Sequence, residues 1–123
     1  MTNIRDGLLA FRAAYETALS PIGALDVVDA YAEARAARVF NRTDRVIQVQ
    51  LGLNPYGLPG ALSVPMNLDA VASVDDGHPT LVQVTITSDE TLPRTALMGA
   101  AFADAAEDTV ARLQRRSRGT TVS

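Results

Sequence analysis

Two stretches in the middle of the chain alternate apolar and polar residues, and this alternation is the strongest constraint on the fold. From Ile47 to Leu53, and again from Val82 to Thr87, every second residue is apolar, with glutamine, threonine or glycine between. Successive side chains of a β-strand point to opposite faces, so a period of two predicts a strand with one buried face. The chain is therefore expected to contain at least two half-buried strands.

A third alternating run lies between these two strands. Its apolar residues are Leu62, Val64, Met66 and Leu68. Pro65 interrupts the run, and because proline cannot donate a hydrogen bond to a neighbouring strand, we expect this strand at an edge of the sheet or at a bulge. Residues 70–74 can add a short fourth strand, which would turn back through the Asp-Asp-Gly-His-Pro turn of residues 75–79.

Helical spacing replaces the alternation before the first strand. The residues that repeat at steps of four and three are Ile4, Leu8, Phe11, Tyr15, Ala18 and Ile22. This period predicts a helix from about residue 3 to 19, capped by Asn3. Ser20 followed by Pro21 predicts the start of a second helix, with a buried stripe of Leu25, Val28, Ala32, Ala36 and Val39. The alternative is one kinked helix that continues to Phe40.

After the last strand the helical period returns. The repeating positions are Leu92, Ala96, Ala100, Ala103, Val110 and Leu113. They predict a helix to about Arg116, closed by Gly119 and followed by the polar tail of residues 120–123. Together the patterns predict a single α+β domain over residues 1–119. It has an N-terminal helix pair or one kinked helix, an antiparallel sheet of three or four strands, and a C-terminal helix packed on one face.

Composition limits the chemistry available to this domain. The 123 residues include no lysine, cysteine or tryptophan, so eleven arginines carry the basic side-chain charge and His78 is the single histidine. Schiff-base chemistry, a P-loop lysine, thiolate nucleophiles and cysteine metal sites are excluded. The net charge of −3 disfavours nucleic acid as the main partner, although local basic patches could still bind it.

The N-terminal residues bear on location. Arg5, Asp6 and Arg12 interrupt the first apolar runs, so neither a signal peptide nor a membrane span is expected. We expect a cytoplasmic location or one in a virion.

Few residues are arranged as a catalytic or metal site would require. His78 lies near Asp75, Asp76 and Asp69 in sequence, which would suit a small oxygen-rich metal site, but a solvated turn is the simpler interpretation. We predict no metal, no cofactor and no catalytic residue. Carboxylates at helical spacing and three tyrosines keep a small enzyme or ligand-binding domain open as an alternative. These residues are Asp26, Asp29, Glu33, Asp104, Asp108, Tyr15, Tyr31 and Tyr56.

The arginines form two clusters, the first of them at helical spacing. The first comprises Arg35, Arg38, Arg42 and Arg45, and the second comprises Arg112, Arg115, Arg116 and Arg118. Acidic residues precede both clusters, which is what helix macrodipoles favour. The functional alternative is that these arginines bind carboxylates of neighbouring copies or phosphates through their bidentate fork. The proline- and glycine-rich loop of residues 54–60 presents Tyr56 and Leu58 and also has the composition of a contact loop.

Two resemblances bear on function. The run from Leu97 to Ala105, Leu-Met-Gly-Ala-Ala-Phe-Ala-Asp-Ala, resembles the final helix of YbaB-like nucleoid-associated proteins, which implies a dimer that binds DNA. The opening run of residues 1–9, with the strand of residues 81–87 before a last helix, is similar to small phage tail-terminator and head–tail connector proteins, which implies a ring component. Scarce catalytic side chains and abundant contact residues favour a non-enzymatic homo-oligomeric assembly protein. DNA binding and a small enzyme using Asp, Tyr or His78 remain the alternatives.

Overall fold

The computed structural model describes residues 3–5, 8–35, 37–52, 65–88 and 96–122. In this part of the chain an antiparallel sheet carries two helices, so the α+β class is confirmed, but the sheet has seven strands rather than the predicted three or four. The elements are β1 (Asn3–Arg5), β2 (Leu8–Thr17), α1 (Pro21–Ala34), β3 (Arg38–Arg42), β4 (Val46–Leu51), β5 (Met66–Ser73), β6 (Thr80–Ser88), α2 (Ala96–Arg116) and β7 (Thr120–Thr121).

The sheet is built around the long strand β2. Six strands follow the order β1-β2-β6-β5-β4-β3, and the short β7 pairs with β2 beyond this path. Because β6 occupies one edge of β2, β1 and β7 share the other edge. The helix α1 connects β2 to β3, the strand at the opposite edge of the sheet, and packs on β4, β5 and β6. The helix α2 packs on β2, β6 and α1. The fold therefore has two layers, with both helices on one face of the sheet.

Strand register places one apolar row of each strand beneath the helices. Tyr15 is opposite Val82, which is in turn opposite Ala72, and all three are buried. The other fully buried large side chains are Phe102, Leu25, Ile47, Leu68, Ile86, Leu113, Val28, Val49 and Val84. This single cluster joins both helices to four strands, which is the core that a domain of this length needs.

The predicted helix over residues 3–19 is wrong, because residues 8–17 form the strand β2. The buried or half-buried row of β2 has period two and consists of Leu9, Phe11, Ala13, Tyr15 and Thr17. Alanine at positions 10, 13 and 14 fits either face of either element, so these residues do not distinguish the helical spacing of the larger apolar residues from the period of a strand. The N-terminal helix pair is thus one helix preceded by strands.

The predicted start of the second helix is confirmed, but the helix ends earlier than predicted. The Ser20 hydroxyl accepts a hydrogen bond from the Gly23 amide at 3.0 Å, with Pro21 at the first helical position, as a helix N-cap requires. The helix α1 ends at Ala34, and Val39 belongs to β3. A kinked helix to Phe40 is therefore wrong.

The two alternating strands are confirmed as β4 and β6, and their apolar residues are buried from Ile47 to Leu51 and from Val82 to Ile86. The third and fourth predicted strands are one strand, β5, with Pro65 just before its first residue. It lies between β4 and β6, so the expected edge position is wrong.

The predicted tight turn is present: Gly77 has φ 76°, and the His78 amide donates to the Asp75 carbonyl at 3.0 Å. The predicted residues Leu53, Leu62 and Val64 lie outside the described residues.

The C-terminal helix ends at Arg116 as predicted, but its buried face differs. Phe102, Ala106, Val110 and Leu113 are buried, whereas Ala100 is exposed. The expected polar tail contains the strand β7, whose Thr121 accepts a hydrogen bond from the Gln114 side chain at 2.9 Å. Of the helices in the described ranges, neither is long and apolar enough to cross a membrane.

Candidate functional site

The outer face of the sheet, opposite the helices, is the first candidate surface. No described element packs on it, and its side chains are small or polar along most of each strand. They include Arg12, Ala14, Gln48, Asn67, Asp69, Gln83, Thr85 and Thr87, together with Val71, which is 39% exposed. This face is thus mainly polar, carries charges of both signs and is not covered by a described element.

A groove of about 570 Å³ runs across the middle of the outer face. Arg12 lines one side of this groove and Asp69 the other, with Thr85 between them because it is opposite both residues in the strand register. Two strand spacings separate the Arg12 and Asp69 backbones, or about 10 Å. Neither side chain forms an ion pair with another described residue. The groove thus holds one positive and one negative charge at a fixed separation.

The second candidate surface lies where α1 and α2 end. Arg35 caps the end of α1, and Arg116 belongs to the last turn of α2. Both guanidinium groups lie over the ring of Tyr31, with their central carbons 4.3 Å and 5.6 Å from its centroid. An open cavity of about 350 Å³ is lined by Arg112, Arg115 and Arg116. We call the surface formed by Arg35, Arg112, Arg115 and Arg116 the arginine end.

The first predicted arginine cluster does not form one stripe. Arg42 reaches from β3 to α1, where its guanidinium donates to Asp26 at 2.5 Å and to Asp29 at 2.6 Å. The hydrogen bond to Asp26 raises the pKa of Arg42 above its ordinary value, with a smaller opposing effect from burial. Arg38 and Arg45 are exposed, at the start of β3 and in the β3–β4 turn. Arg42 is therefore engaged within the protein.

The second cluster is only partly engaged. Arg112 donates to Asp108 at 2.9 Å, one helical turn earlier. Arg115 and Arg116 lie in the last turn of α2, where the macrodipole favours them, and Arg118 follows the helix. Neither helix has an acid in its first turn among the described residues, and Asp26 and Asp29 bind Arg42 instead. Tyr56 and Leu58 lie outside the described residues.

The residues considered for chemistry are dispersed. Every carboxylate in the described ranges is exposed or half-buried, and His78 is exposed in the hairpin turn. Within these same ranges no group of three His, Asp or Glu side chains is close enough to hold a metal ion. The buried carboxylate that an acid–base mechanism would use is therefore not among them.

Tyr15 is completely buried in the core, and its environment raises its pKa. Burial is the main cause, and the Ser117 side chain opposes it. The Tyr15 and Ser117 hydroxyls are both buried, and neither meets a hydrogen-bond partner with acceptable geometry among the described residues. The Ser117 carbonyl accepts from Thr17 at 2.7 Å, which fixes the end of α2 on β2. Both hydroxyls therefore lie inside the core, and neither residue lines the groove of the outer face or the cavity of the arginine end.

Sequence reasoning missed Arg12 as a site residue, and it considered Asp69 only as a neighbour of the turn that contains His78. Arg12 was assigned to a helix, although its neighbours Ala10, Ala14 and Glu16 mark the outer row of a strand. No protein-family model matches this chain, and no curated protein matches it in sequence. What the protein does is therefore inferred from its own residues.

Proposed function

We propose that the protein is a non-enzymatic homo-oligomeric assembly protein in which the outer faces of two copies pack together. The observation that carries this proposal is the charge pair of the groove. Arg12 and Asp69 flank Thr85 symmetrically, and neither has an ion-pair partner among the described residues. A second copy supplies the opposite charge to each.

A two-fold axis that is parallel to β6 and passes above Thr85 gives both charges a partner of opposite sign in the second copy. Rotation about this axis turns the outer face of one copy onto that of the other and exchanges the two sides of the groove. Arg12 of each copy then faces Asp69 of the other, which is the self-complementary arrangement of an isologous dimer. The strands of the two sheets remain nearly aligned, as in sandwiches whose sheets pack about 10 Å apart with a twist of about −30°.

The size of the outer face is compatible with a specific interface. Four strands about 4.8 Å apart, each about eight residues long at about 3.4 Å per residue, present roughly 500 Å² in projection. Side-chain relief increases the accessible area toward the roughly 800 Å² that each partner buries in a standard interface. Val71 supplies apolar area beside the charges, and the glutamines and threonines supply hydrogen bonds.

Charge reversal tests the dimer directly. Arg12→Asp places a second carboxylate opposite Asp69, and Asp69→Arg places a second guanidinium opposite Arg12. Each variant alone is expected to be monomeric because like charges face one another in both pairs. In the mixed dimer both pairs are attractive. The Asp69 kept by the Arg12→Asp chain faces the Arg12 kept by the Asp69→Arg chain, and the two introduced charges, which are opposite in sign, face each other. The mass measured by light scattering after size exclusion then returns to that of the wild type. Arg45→Asp and Asp76→Arg are the matched controls, because both are exposed away from the groove.

Two results would overturn this interpretation. A wild-type monomer at the highest soluble concentration excludes the homo-oligomer. A wild-type oligomer that tolerates both reversals, or variants that do not associate when mixed, would place the interface elsewhere.

A ring component of a phage neck or tail is the more specific form of the proposal. A closed ring larger than a dimer needs a further, head-to-tail contact between copies. A wild-type mass above that of two chains supports this form, whereas a mass of two chains restricts the assembly to the outer-face dimer. Such a protein would act in the cytoplasm or within a virion.

A further inference from the structure

We infer that the arginine end binds the phosphate backbone of a nucleic acid. This site is independent of the proposed dimer, because it belongs to the helical layer and the dimer uses the opposite face of the sheet.

The fold brings arginines from both sequence clusters to one place. Arg35 and Arg116 lie over the same Tyr31 ring at 4.3 Å and 5.6 Å, which keeps their charges within about 10 Å, comparable with the Debye length at about 0.1 M salt. The ring stabilises each guanidinium through its π-electrons but does not neutralise it. Two cations are thus held close together in fixed positions.

The positive charge of this site exceeds the nearby negative charge of the described residues. Of the four arginines, Arg112 alone forms an ion pair with a described carboxylate, that of Asp108. The ends of α1 and α2 each contribute a partial charge of about −0.5. The site retains roughly two positive charges, although the chain as a whole carries −3.

The geometry of the site favours a polymer with phosphate groups. Guanidinium groups bind phosphate through paired N–H donors. The cavity between Arg112, Arg115 and Arg116 is open, so a single small anion would remain mostly solvated, whereas a nucleic acid presents several phosphates at once. Tyr31 is 4% exposed beneath the arginines and offers no face to a base. Binding is therefore expected to be independent of base sequence.

Fluorescence anisotropy with the full chain and labelled duplexes of about 20 base pairs tests this site over about 50 mM to about 200 mM salt. We expect weak binding that is equal for unrelated duplex sequences. The logarithm of affinity should fall with the logarithm of salt concentration with a slope of about −2 to −3, since two to three phosphates are neutralised.

Paired substitutions locate the binding surface. Arg115→Gln with Arg116→Gln is expected to lower the affinity about ten-fold or more and to reduce the salt slope by about 2. Arg112→Gln with Arg115→Gln is a second variant that keeps the contact of Arg116 with Tyr31. Arg38→Gln with Arg45→Gln removes the same net charge from exposed positions elsewhere and should leave the affinity nearly unchanged.

Three outcomes would overturn the inference. One is the absence of binding at the lowest salt concentration. Another is an equal loss of affinity in the control variant, which would indicate a diffuse electrostatic effect. The third is displacement of the duplex by pyrophosphate at concentrations that match its phosphate content, which would assign the site to a small anion. The charge-reversal variants of the outer face should bind the duplex through the same arginine end, so failure of one proposal is separable from failure of the other.

Discussion

Arg118 and Gly119 show how the end of α2 depends on single residues. The Gly119 amide donates to the Gln114 carbonyl at 2.7 Å and the Arg118 amide to the Arg115 carbonyl at 3.1 Å, which is the hydrogen-bond pattern of a Schellman motif. The left-handed position, usually glycine, is Arg118 with φ 51°. Gly119 serves another purpose, because a Cβ there would lie 2.8 Å from Cδ2 of Tyr15 and 3.1 Å from the Glu16 carbonyl oxygen.

We predict opposite effects for substitutions at these two positions. Gly119→Ala should lower the free energy of unfolding by about 2 kcal/mol, because β2 and the Tyr15 ring must move to admit the methyl group. Arg118→Gly should raise it by about 1 kcal/mol, because glycine adopts the left-handed conformation without strain. Urea unfolding of both variants measures the two effects. Equal stability of Gly119→Ala and the wild type would contradict the close approach of α2 to β2.

The buried Tyr15 hydroxyl leads to a prediction at alkaline pH. Burial raises the pKa of Tyr15 above the ordinary value of about 10, so the unfolded chain loses this proton at a lower pH than the folded protein. The stability associated with the neutral hydroxyl is complete below about pH 10 and is lost as the pH rises through the pKa of the folded state. Urea unfolding at several pH values should therefore show a steeper decline above about pH 10 for the wild type than for Tyr15→Phe.

At neutral pH the same variant should be as stable as the wild type or more stable by about 1 kcal/mol, because it removes a buried hydroxyl without a described hydrogen-bond partner. Tyr31→Phe is the comparison, since it removes a tyrosine hydroxyl outside the Tyr15–Ser117 pair. Identical alkaline slopes for the wild type and Tyr15→Phe would exclude Tyr15 as the titrating group.

At the scale of elements, the sequence predicts best where polar residues separate the apolar ones. In β4 and β6, glutamine and threonine mark the outer row, so both strands were predicted correctly. In β2, alanine occupies both rows, and the residues fit a helical and a strand period equally well. The deciding interaction is the pairing of β2 with β6, which is distant in sequence. A local pattern cannot contain this information.

The contact between α1 and β3 depends on Arg42. Its two ion pairs join Asp26 and Asp29 of the helix to an edge strand, but the three side chains are 27%, 61% and 38% exposed, so solvent weakens the interaction. Arg42→Gln should lower the free energy of unfolding by about 1 kcal/mol, and a double-mutant cycle with Asp29→Asn should give a coupling of about 0.5 kcal/mol that falls with salt. Thermal or urea unfolding measures both values. Arg38→Gln, at an exposed position of the same strand, should have little effect, and a coupling of zero at low salt would contradict the prediction.

At the scale of the whole molecule, the candidate surfaces were less predictable than the fold class. The first arginine cluster of the sequence follows helical spacing, whereas the structure brings Arg35 and Arg116 together over Tyr31 and directs Arg42 to α1. Arg12 and Asp69 lie on opposite sides of the groove only because of the register of three strands. Both surfaces depend on contacts between distant residues, which patterns within one element do not specify.

The two proposals fit together in one assembly. Packing of the outer faces leaves the helical layers on the outside of the dimer, so both arginine ends remain accessible. The dimer would then present two basic sites on opposite sides, which allows two phosphate contacts on separate duplexes or on one bent duplex.

The position of β2 also affects how the chain acquires its structure during synthesis. Tyr15 pairs with Val82 on one side and with Thr121 on the other, so β2 leaves the ribosome long before either partner exists. Until those partners are translated, the parts of β2 that they later cover can pair with another nascent chain. Such distant pairing also predicts slow folding. Misassembly through β2 is therefore expected while those partners are still being translated.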